Sequence, residues 1–366
     1  MDNNATSTRN KIIIPHNRPM VNEDDARAAY DAVLSGWLAC GEQCRELEDF
    51  LNRLIFDQDA GAVVCSSGTA ALFLALKALS IGPGDEVIIP DYVCTAVLNA
   101  VNMTGAVPVI ADINPDNLSF TANEIQKHKT ENTRAIIAMH TYGLSCEIND
   151  IKRFAVPIIE DCATSLGSKF TDGTQPGSKG DIAVFSFYAT KMITGGYGGA
   201  VLSRNNDIIA KARDYIHFDC PEKYYPRFNF LFSDINAAVA LNQARQIDQF
   251  VSRRQAIAKY YRSAVSNKSY LKYAPDSNDF NYYRFLLNFE TEKERNECRH
   301  YLAENGITAI VPLEKNELLH NYLDLNKDLY PVSEWAADHL LSLPVFPGLY
   351  DDEVAYVTDI LDRRSF

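Results

Sequence analysis

Lys191 stands shortly after an apolar, β-branched and aromatic run, Ile182–Phe187, of the kind that forms a buried strand. Four glycines between positions 195 and 199 then lead into a second apolar run, Ala200–Leu202. A lysine delivered to the end of a strand is partly dehydrated, and dehydration disfavours the ammonium form. A neutral amine in that position is suited to form a Schiff base with a carbonyl cofactor. Taken alone, the stretch is more typical of a solvated lysine in a glycine-rich hairpin than of a catalytic lysine. The choice between the two interpretations depends on the rest of the chain.

A second stretch has the pattern of an anion site. Val63–Cys65 is a short apolar strand, residues 66–69 read Ser-Ser-Gly-Thr, and Ala70–Leu79 is a strong helix former. The first N–H groups of a helix lack helical partners and point outwards, so this turn can hold a phosphate. The same residues are also typical of a helix N-cap that binds no ligand.

Strands and helices alternate around these two stretches. The predicted strands are Val63–Cys65, Glu86–Ile89, Val107–Ala111, Arg134–Met139, Val156–Ile159 and Ile182–Phe187, and the predicted helices are Asn22–Ser35, Cys44–Leu54, Ala70–Leu79, Ala96–Met103, Thr121–Lys129, Asn149–Phe154 and Asn205–Tyr215. This alternation predicts an α/β fold with a mainly parallel sheet covered by helices on both faces.

Five reactive or polar side chains come just after predicted strands: Ser67, Tyr92, His140, Asp161 and Lys191. In open α/β sheets the ligand lies beyond the carboxyl ends of the strands. We therefore expect these five groups to gather in one site.

The C-terminal part has a different pattern. Residues 235–265 predict one or two long helices, followed by a strand at Tyr283–Phe289, a helix at Lys293–Glu304, a strand at Ile307–Val311 and a closing helix at Asp351–Arg364. We predict three units: a flexible leader (residues 1–11), a large domain (12–249) and a small α+β domain (250–366).

Composition excludes several classes of protein. The chain has 366 residues, 46% of them hydrophobic and 23% charged, which is ordinary for a globular protein. A formal net charge of −13 argues against a general nucleic-acid binder. No apolar run approaches the ~20 residues of a membrane helix, and the polar start lacks the apolar core of a secretory signal. We expect a cytoplasmic protein that binds neither membrane nor nucleic acid.

The eight cysteines are interpreted as reduced thiols that pack in the core. Cys40 and Cys44 are the closest pair, but no second pair or histidine follows at the spacing of zinc ligands. We therefore predict no metal site.

Four long motifs resemble the DegT/DnrJ/EryC1/StrS family of pyridoxal-phosphate enzymes. They read SSGTAALFLALKALSIGPGDEVIIP, IIEDCATSLGS, GDIAVFSFYATK followed by GGYGGAVLS, and NFLFSDINAAVALNQ. They occur in the family's order, and the resemblance spans residues 12–361. It implies the aspartate aminotransferase (type I) fold and pyridoxal 5'-phosphate as cofactor.

The resemblance also assigns roles to residues. Lys191 matches the lysine that forms a Schiff base with the cofactor and moves the proton, and Asp161 matches the aspartate beneath the pyridine nitrogen. Gly68, Thr69 and Ser186 match the positions that hold the cofactor phosphate, and Ser67, which lies in the same turn, is also predicted to bind the cofactor. Asn229 matches an asparagine that reaches the phosphate from a neighbouring subunit, which implies a homodimer with composite sites.

Other positions depart from the family pattern. Cys94 stands where an aromatic ring usually stacks on the cofactor, so either Tyr92 supplies that ring or the stacking is lost. Thr164 replaces the Gln or His that contacts the cofactor's 3-hydroxyl. Three further positions differ from the residues that the family usually carries: Tyr197, Leu231 and Glu314. The candidates for contacts with the substrate are Arg227, Tyr283 and Arg284.

The resemblance implies an aminotransferase that moves an amino group from an amino acid such as glutamate to a keto-sugar, nucleotide-linked, in amino-sugar biosynthesis for surface polysaccharides or natural products. One alternative is a pyridoxal-phosphate-dependent sugar dehydratase. Those enzymes typically carry histidine at the lysine position, and Lys191 counts against that reading. The other alternative is a non-catalytic regulator on the same fold.

Overall fold

A computed structural model describes residues 13–56, 60–219, 222–265 and 267–364. The strands are β1 (Gly61–Cys65), β2 (Glu86–Pro90), β3 (Val107–Ala111), β4 (Thr133–Met139), β5 (Ile158–Asp161), β6 (Ile182–Ser186), β7 (Gly199–Ser203), β8 (Phe285–Asn288) and β9 (Leu340–Leu343). The helices are α1 (Glu23–Leu34), α2 (Glu42–Phe56), α3 (Gly68–Ala78), α4 (Thr95–Thr104), α5 (Ala122–His128), α6 (Ile148–Ile151), α7 (Asn206–Ile216), α8 (Asp234–Arg245), α9 (Ile247–Ala264), α10 (Glu292–Glu304), α11 (Leu319–Tyr322), α12 (Pro331–His339) and α13 (Asp351–Arg363).

Seven strands form one mixed sheet in the order β1, β7, β6, β5, β4, β2, β3. Only β7 runs against its neighbours; the pairs β2 with β3, β2 with β4, β4 with β5 and β5 with β6 are parallel. Strands β2, β4 and β6 are buried along nearly their whole length, which explains their nearly continuous apolar composition. The predicted α/β fold with a mainly parallel sheet is confirmed.

The register of the sheet places the chemistry-bearing residues. Asp161, the last residue of β5, lies between Met139 of β4 and Val184 of β6. On the other side of β6, Gly199 of β7 pairs with Ser186 of β6 and with Cys65 of β1. The carboxyl ends of β1, β4, β5 and β6 therefore meet at one edge.

Helix α3 is buried almost all round, and its alanine- and leucine-rich sequence packs on the sheet together with α4 and α7. Such a helix is anchored along its whole length. Its first turn, which follows β1 directly, is therefore held rigidly at the carboxyl edge of the sheet.

A second core lies in the C-terminal part. It gathers α10, α13, β8, β9 and the second half of α9, and it includes Ile14 from the start of the described chain. Helix α9 joins the two regions: Ile247 and Val251 pack in the core of the large sheet, whereas Ile257 and Tyr261 pack in the second core. The predicted domain boundary between residues 249 and 250 falls within this helix and stays a prediction. The predicted leader, residues 1–11, lies outside the described residues.

The prediction of a strand at Ile307–Val311 is wrong. Ile307 makes an isolated bridge with Ile14, and Ile310 makes one with Ser342, so no continuous strand forms. The partner of β8 is instead β9, which was not predicted and pairs with it antiparallel. Because β9 follows α12 with no turn residues between them, its apolar run continues the helix pattern in the sequence. Among the described residues, no helix is both long and apolar enough to cross a membrane.

Candidate active site

A cavity of about 310 Å³ opens at the carboxyl edge of the large sheet. Seven of the predicted site residues line it: Ser67, Gly68, Thr69, Cys94, Asp161, Ser186 and Lys191. Apolar side chains complete its walls, chiefly Leu72, Val93, Val97, Met139 and Val184, and Tyr188 and Tyr197 lie at its exposed side. A small cavity with an apolar lining and a few converging polar groups is typical of a cofactor site.

The turn before α3 has the geometry of a phosphate cradle. The Ser67 hydroxyl accepts the Ala70 N–H at 3.1 Å, and the Ser67 carbonyl accepts the Ala71 N–H at 2.9 Å. The N–H groups of Gly68 and Thr69 therefore precede the hydrogen bonds of the helix, and both residues line the cavity. Backbone N–H groups at a helix start, together with the helix dipole, favour a phosphate.

The cradle is close-packed in a way that only glycine permits. A Cβ on Gly68 would lie 2.9 Å from the Cβ of Ser186, and a Cβ on Gly199 would lie 2.5 Å from the carbonyl oxygen of Ser67. These contacts bring the Ser186 hydroxyl beside the start of α3. The residues present thus fit a phosphate group held by two backbone amides and a hydroxyl.

Asp161 is a buried carboxylate at the floor of the cavity, with 4% of its surface exposed. Its neighbours across the sheet, Met139 and Val184, are both apolar. Burial raises the pKa of Asp161 above its ordinary value, while the Ala163 N–H, which it accepts at 2.9 Å, and the charge of Lys191 act in the opposite direction. A cationic or N–H-bearing ring placed over it would compensate this buried charge.

Lys191 lies in the loop between β6 and β7, half-buried. The loop is held closed because the Phe187 N–H donates to the Gly198 carbonyl at 2.9 Å and the Gly195 N–H donates to the Phe187 carbonyl at 3.0 Å. The Lys191 Nζ lies 5.5 Å from the centre of the Tyr283 ring. The loop thus presents the amine to the same cavity as Asp161.

Tyr92 and Thr164 are not brought to the cavity. The Tyr92 ring is buried and packs edge-on against Tyr142 at 6.4 Å, in a cluster with Leu286 and Leu318 from the C-terminal part. The Thr164 hydroxyl donates to the His140 carbonyl and accepts the Tyr142 N–H, both at 3.0 Å. Cys94, exposed at the start of α4, is the residue of this segment that lines the cavity.

His140 was expected in the site but lies outside the cavity lining. Its Nδ1 accepts the Cys146 N–H at 3.1 Å, so its Nε2 carries the proton and donates to Glu160 at 2.7 Å. Glu160 also accepts the N–H groups of Gly177 and Lys179, at 2.9 and 2.8 Å. Burial alone would raise the pKa of Glu160, but these hydrogen bonds outweigh it and hold the pKa below its ordinary value.

Cys162 completes a group with His140 and Glu160 whose potential metal-ligand atoms lie within 4.8 Å of one another. Both ring nitrogens of His140 and both carboxylate oxygens of Glu160 already have hydrogen-bond partners. We therefore interpret this group as a buried support for the turn at residues 177–180, which leads into β6.

Asn229 is exposed and does not line the cavity of its own chain. Its loop runs past the phosphate turn, because the Ser66 N–H donates to the carbonyl of the adjacent Phe230 at 2.8 Å. The role of Asn229 at a neighbouring subunit's phosphate stays a prediction.

A larger cavity, about 890 Å³, lies between α1, α2 and α8. It is an open groove, and its charged side chains include both acids and arginines, among them Asp24, Arg27, Asp31, Arg45 and Glu46. It holds none of the predicted site residues. Size alone therefore does not mark the site, whereas the convergence of an amine, a carboxylate and an anion turn does.

Comparisons with known proteins agree with this geometry. The model of the DegT/DnrJ/EryC1/StrS aminotransferase family matches residues 19–362. Among solved structures, a putative sugar aminotransferase, Spr1654 from Streptococcus pneumoniae in its PMP form, is 25% identical, with a TM-score of 0.87 and coverage of 96% of this chain and 97% of the other.

Two further structures are similar over nearly the whole chain. The aminotransferase TlmJ from Streptoalloteichus hindustanus is 26% identical, with a TM-score of 0.85 and coverage of 96% and 98%. DesV from S. venezuelae, solved in complex with a ketimine intermediate, is 28% identical, with a TM-score of 0.84 and coverage of 93% and 94%.

Proposed function

Because this chain belongs to the DegT/DnrJ/EryC1/StrS aminotransferase family, we propose that it moves an amino group from an amino acid such as glutamate to a keto-sugar. It is a pyridoxal-phosphate-dependent aminotransferase. The observation that carries the proposal is the meeting of Lys191, Asp161 and the Ser67–Thr69 turn around one cavity.

Each part of the cavity suits one part of pyridoxal 5'-phosphate. The N–H groups of Gly68 and Thr69 and the hydroxyl of Ser186 would hold the phosphate. The Asp161 carboxylate would accept a hydrogen bond from the protonated ring nitrogen, and the apolar walls would exclude water. Bound there, the cofactor supplies an aldehyde that accepts the amino group and a ring that acts as an electron sink.

Lys191 has two tasks in this arrangement. Its Nζ would hold the cofactor through the aldehyde carbon, and as a free amine it would take the proton from the Cα of the amino donor. Asp161 supports that proton transfer because a carboxylate at the ring nitrogen keeps the nitrogen protonated. With the acceptor ketone, the Lys191 amine would return a proton to the carbon that receives the amino group.

The acceptor class is supported by similarity. Spr1654, whose PMP and PLP forms both resemble this chain over more than nine-tenths of its length, is named as a putative sugar aminotransferase. We propose a nucleotide-linked keto-sugar as acceptor, in the synthesis of an amino sugar for a surface polysaccharide or a natural product. We further propose that the enzyme works in the cytoplasm as a homodimer. Seven unpaired cysteines in the described part of the chain support a reducing compartment.

Spectroscopy of the purified protein with added cofactor tests the proposal. L-Glutamate should convert the aldehyde form of the cofactor to its amine form and release 2-oxoglutarate, and a panel of keto-sugar nucleotides should reverse the change. Lys191→Ala is the control and should show neither conversion. Formation of a deoxy-sugar without an amino donor would instead identify a dehydratase.

A further inference from the structure

Arg284, just before β8, lies beside the catalytic lysine. Its guanidinium carbon lies 5.0 Å from the centre of the Tyr142 ring and 5.7 Å from that of Tyr283. The Nζ of Lys191 lies 5.5 Å from the same Tyr283 ring. Two cations therefore contact the same aromatic ring, and one of them, Lys191, lines the cofactor cavity.

No carboxylate in the described part of the chain pairs with Arg284. Its polar neighbours are the Ser342 hydroxyl at 3.5 Å and the His16 Nε2 at 3.4 Å, both long contacts. Its Nε is buried and has no hydrogen-bond partner among the described residues. A buried, unpaired donor on a charged group is costly, and an anion beside this guanidinium would offset part of that cost.

Arg254 adds to the positive charge. This side chain is buried and donates to the carbonyls of Tyr282 and Tyr283, at 3.2 and 3.4 Å, and to that of Val345. Carbonyl groups do not neutralise a guanidinium. Three cations, Lys191, Arg254 and Arg284, thus surround Tyr283 without a paired acid in the described residues, in a chain whose net charge is −13.

The N-terminal segment holds Arg284 in place. His16 also contacts the Ser342 hydroxyl, at 2.9 Å, and burial together with the charges of Arg284 and Arg254 lowers the pKa of His16 to about 3. His16 is therefore neutral and does not repel the guanidinium. The next residue, Asn17, donates to the carbonyl of Thr190 at 3.3 Å, which ties this segment to the loop of Lys191.

Tyr142, the second ring under Arg284, is held at φ = +57° and ψ = +19°, a left-handed conformation that is unfavourable for a residue other than glycine. Such strain tends to persist where a site requires the geometry. The strained residue follows β4 closely, and its ring lies within contact distance of the Arg284 guanidinium.

We propose that Arg284 binds a carboxylate of the amino donor and so restricts the donor to amino acids. The inference depends on the proposed aminotransferase function. The Arg284 side chain is partly exposed, and its polar contacts among the described residues are the long ones to Ser342 and His16. A planar guanidinium pairs with a carboxylate through charge-assisted hydrogen bonds. Amines that lack a carboxylate gain nothing from this contact and are poor donors.

The test follows the donor half-reaction alone, with no acceptor present. Arg284→Gln should raise the L-glutamate concentration needed for half-saturation by about 10- to 100-fold, because the variant loses the charge-assisted hydrogen bonds to the donor carboxylate. The cofactor spectrum before donor addition should not change. Arg204→Gln is the matched control, because Arg204 also lies over an aromatic ring, Phe56 at 4.4 Å, but is exposed and far from the site.

A cycle with modified donors makes the test specific. In the wild type, replacing one donor carboxylate by an amide, in L-isoglutamine or L-glutamine, should weaken binding, and in Arg284→Gln the same replacement should cost little. Arg284→Lys, which keeps the charge, should recover part of the loss and serves if the Gln variant folds poorly. Equal effects of the amides in wild type and variant would overturn the inference.

Failure of the inference can be distinguished from failure of the proposed function. If the wild type converts its cofactor with no amino acid, the aminotransferase proposal fails. If the wild type reacts but Arg284→Gln changes only the acceptor half-reaction, Arg284 binds the acceptor, and the inference about the donor is wrong.

Discussion

The buried Asp161 carboxylate lowers the stability of the cofactor-free protein, and a bound cofactor would offset this cost. Its carboxylate is buried next to apolar strands, and burial raises its pKa. In a group with a raised pKa, the folded state holds the proton more tightly than the unfolded chain. Ionisation therefore destabilises the fold at pH values above the raised pKa, and the penalty disappears as the pH falls through it.

Asp161→Asn should accordingly stabilise the cofactor-free protein near pH 8, raising its melting temperature by about 2 °C or more, while transaminase activity falls at least about 100-fold. The amide keeps an oxygen for the Ala163 N–H and removes the buried charge. Melting curves at pH 8 and at pH 5 should show the stabilisation shrinking at the lower pH. A variant less stable than wild type at pH 8 would contradict this account of Asp161.

Gly68 permits the close approach of α3 to Ser186. Gly68→Ala places a Cβ 2.9 Å from the Ser186 Cβ and should weaken binding of the cofactor by about 10-fold, because the amides and the hydroxyl of the cradle move apart. Titration with pyridoxal 5'-phosphate measures this. Gly82→Ala, just beyond the other end of α3, is the control, since its Cβ would meet nothing closer than 4.0 Å. Equal cofactor affinities in the two variants would contradict the claim that close packing at Gly68 is needed to bind the phosphate.

At this scale, sequence reasoning predicted which strands end in polar groups but not which way each side chain turns. Asp161 and Ser186 are the terminal residues of their strands, so the hydrogen bonds of the sheet fix the direction of their side chains. Tyr92 lies in the irregular segment after β2, and its ring turns into the C-terminal core instead. Such segments lack a fixed alternation of side chains, so spacing alone does not orient them.

At the scale of elements, the large sheet ends in buried acids that hold the C-terminal segment. Asp91, directly after β2, accepts the His320 N–H at 2.7 Å and lies 2.8 Å from the His320 Nδ1. The other ring nitrogen of His320 lies 3.1 Å from Glu334 of α12. Asp112, after β3, likewise accepts the N–H groups of Val332 and Ser333, both at 2.9 Å.

His320→Ala should destabilise the protein by about 3 kcal/mol, because it leaves the buried Asp91 carboxylate without its main partner. His300→Ala removes only an exposed pair with Glu304 and should cost about 0.5 kcal/mol or less. Denaturant unfolding measures both. Trp335 lies beside Glu334. In His320→Ala its fluorescence should therefore change at a lower denaturant concentration than the circular dichroism does. Equal stabilities of the two variants would show that the contacts of His320 with Asp91 and Glu334 contribute little to stability.

The elements themselves were predictable where periodicity was strong. Helix α3, the parallel strands and the paired helices α8 and α9 follow from long apolar patterns. Helix α12 and strand β9 did not, because the helix runs into the strand without a turn signal and both are short. The pairing of Ile14 with Ile307 is also invisible in the sequence, since it joins residues at opposite ends of the chain.

At the scale of the whole molecule, the homodimer with composite sites is a prediction with a direct test. Lys191→Ala and Asn229→Ala should each be impaired alone. If Asn229 serves the neighbouring subunit, a dimer of the two variants contains one intact site, and random mixing should restore about a quarter of wild-type activity. Subunits are exchanged by mild denaturation and dilution. If the mixture is no more active than the better of the two variants, Asn229 acts in its own chain's site or in no site.

The measurement that tests the central claim most directly is reduction of the cofactor-loaded enzyme with borohydride, followed by mass mapping of its peptides. We predict one cofactor-derived group per chain, on Lys191, and none there after prior conversion with L-glutamate. Lys179, whose ammonium is paired with Asp172 at 2.7 Å, should stay unmodified. An unmodified Lys191 in a fully loaded enzyme, or a group fixed to a different lysine, would contradict the account.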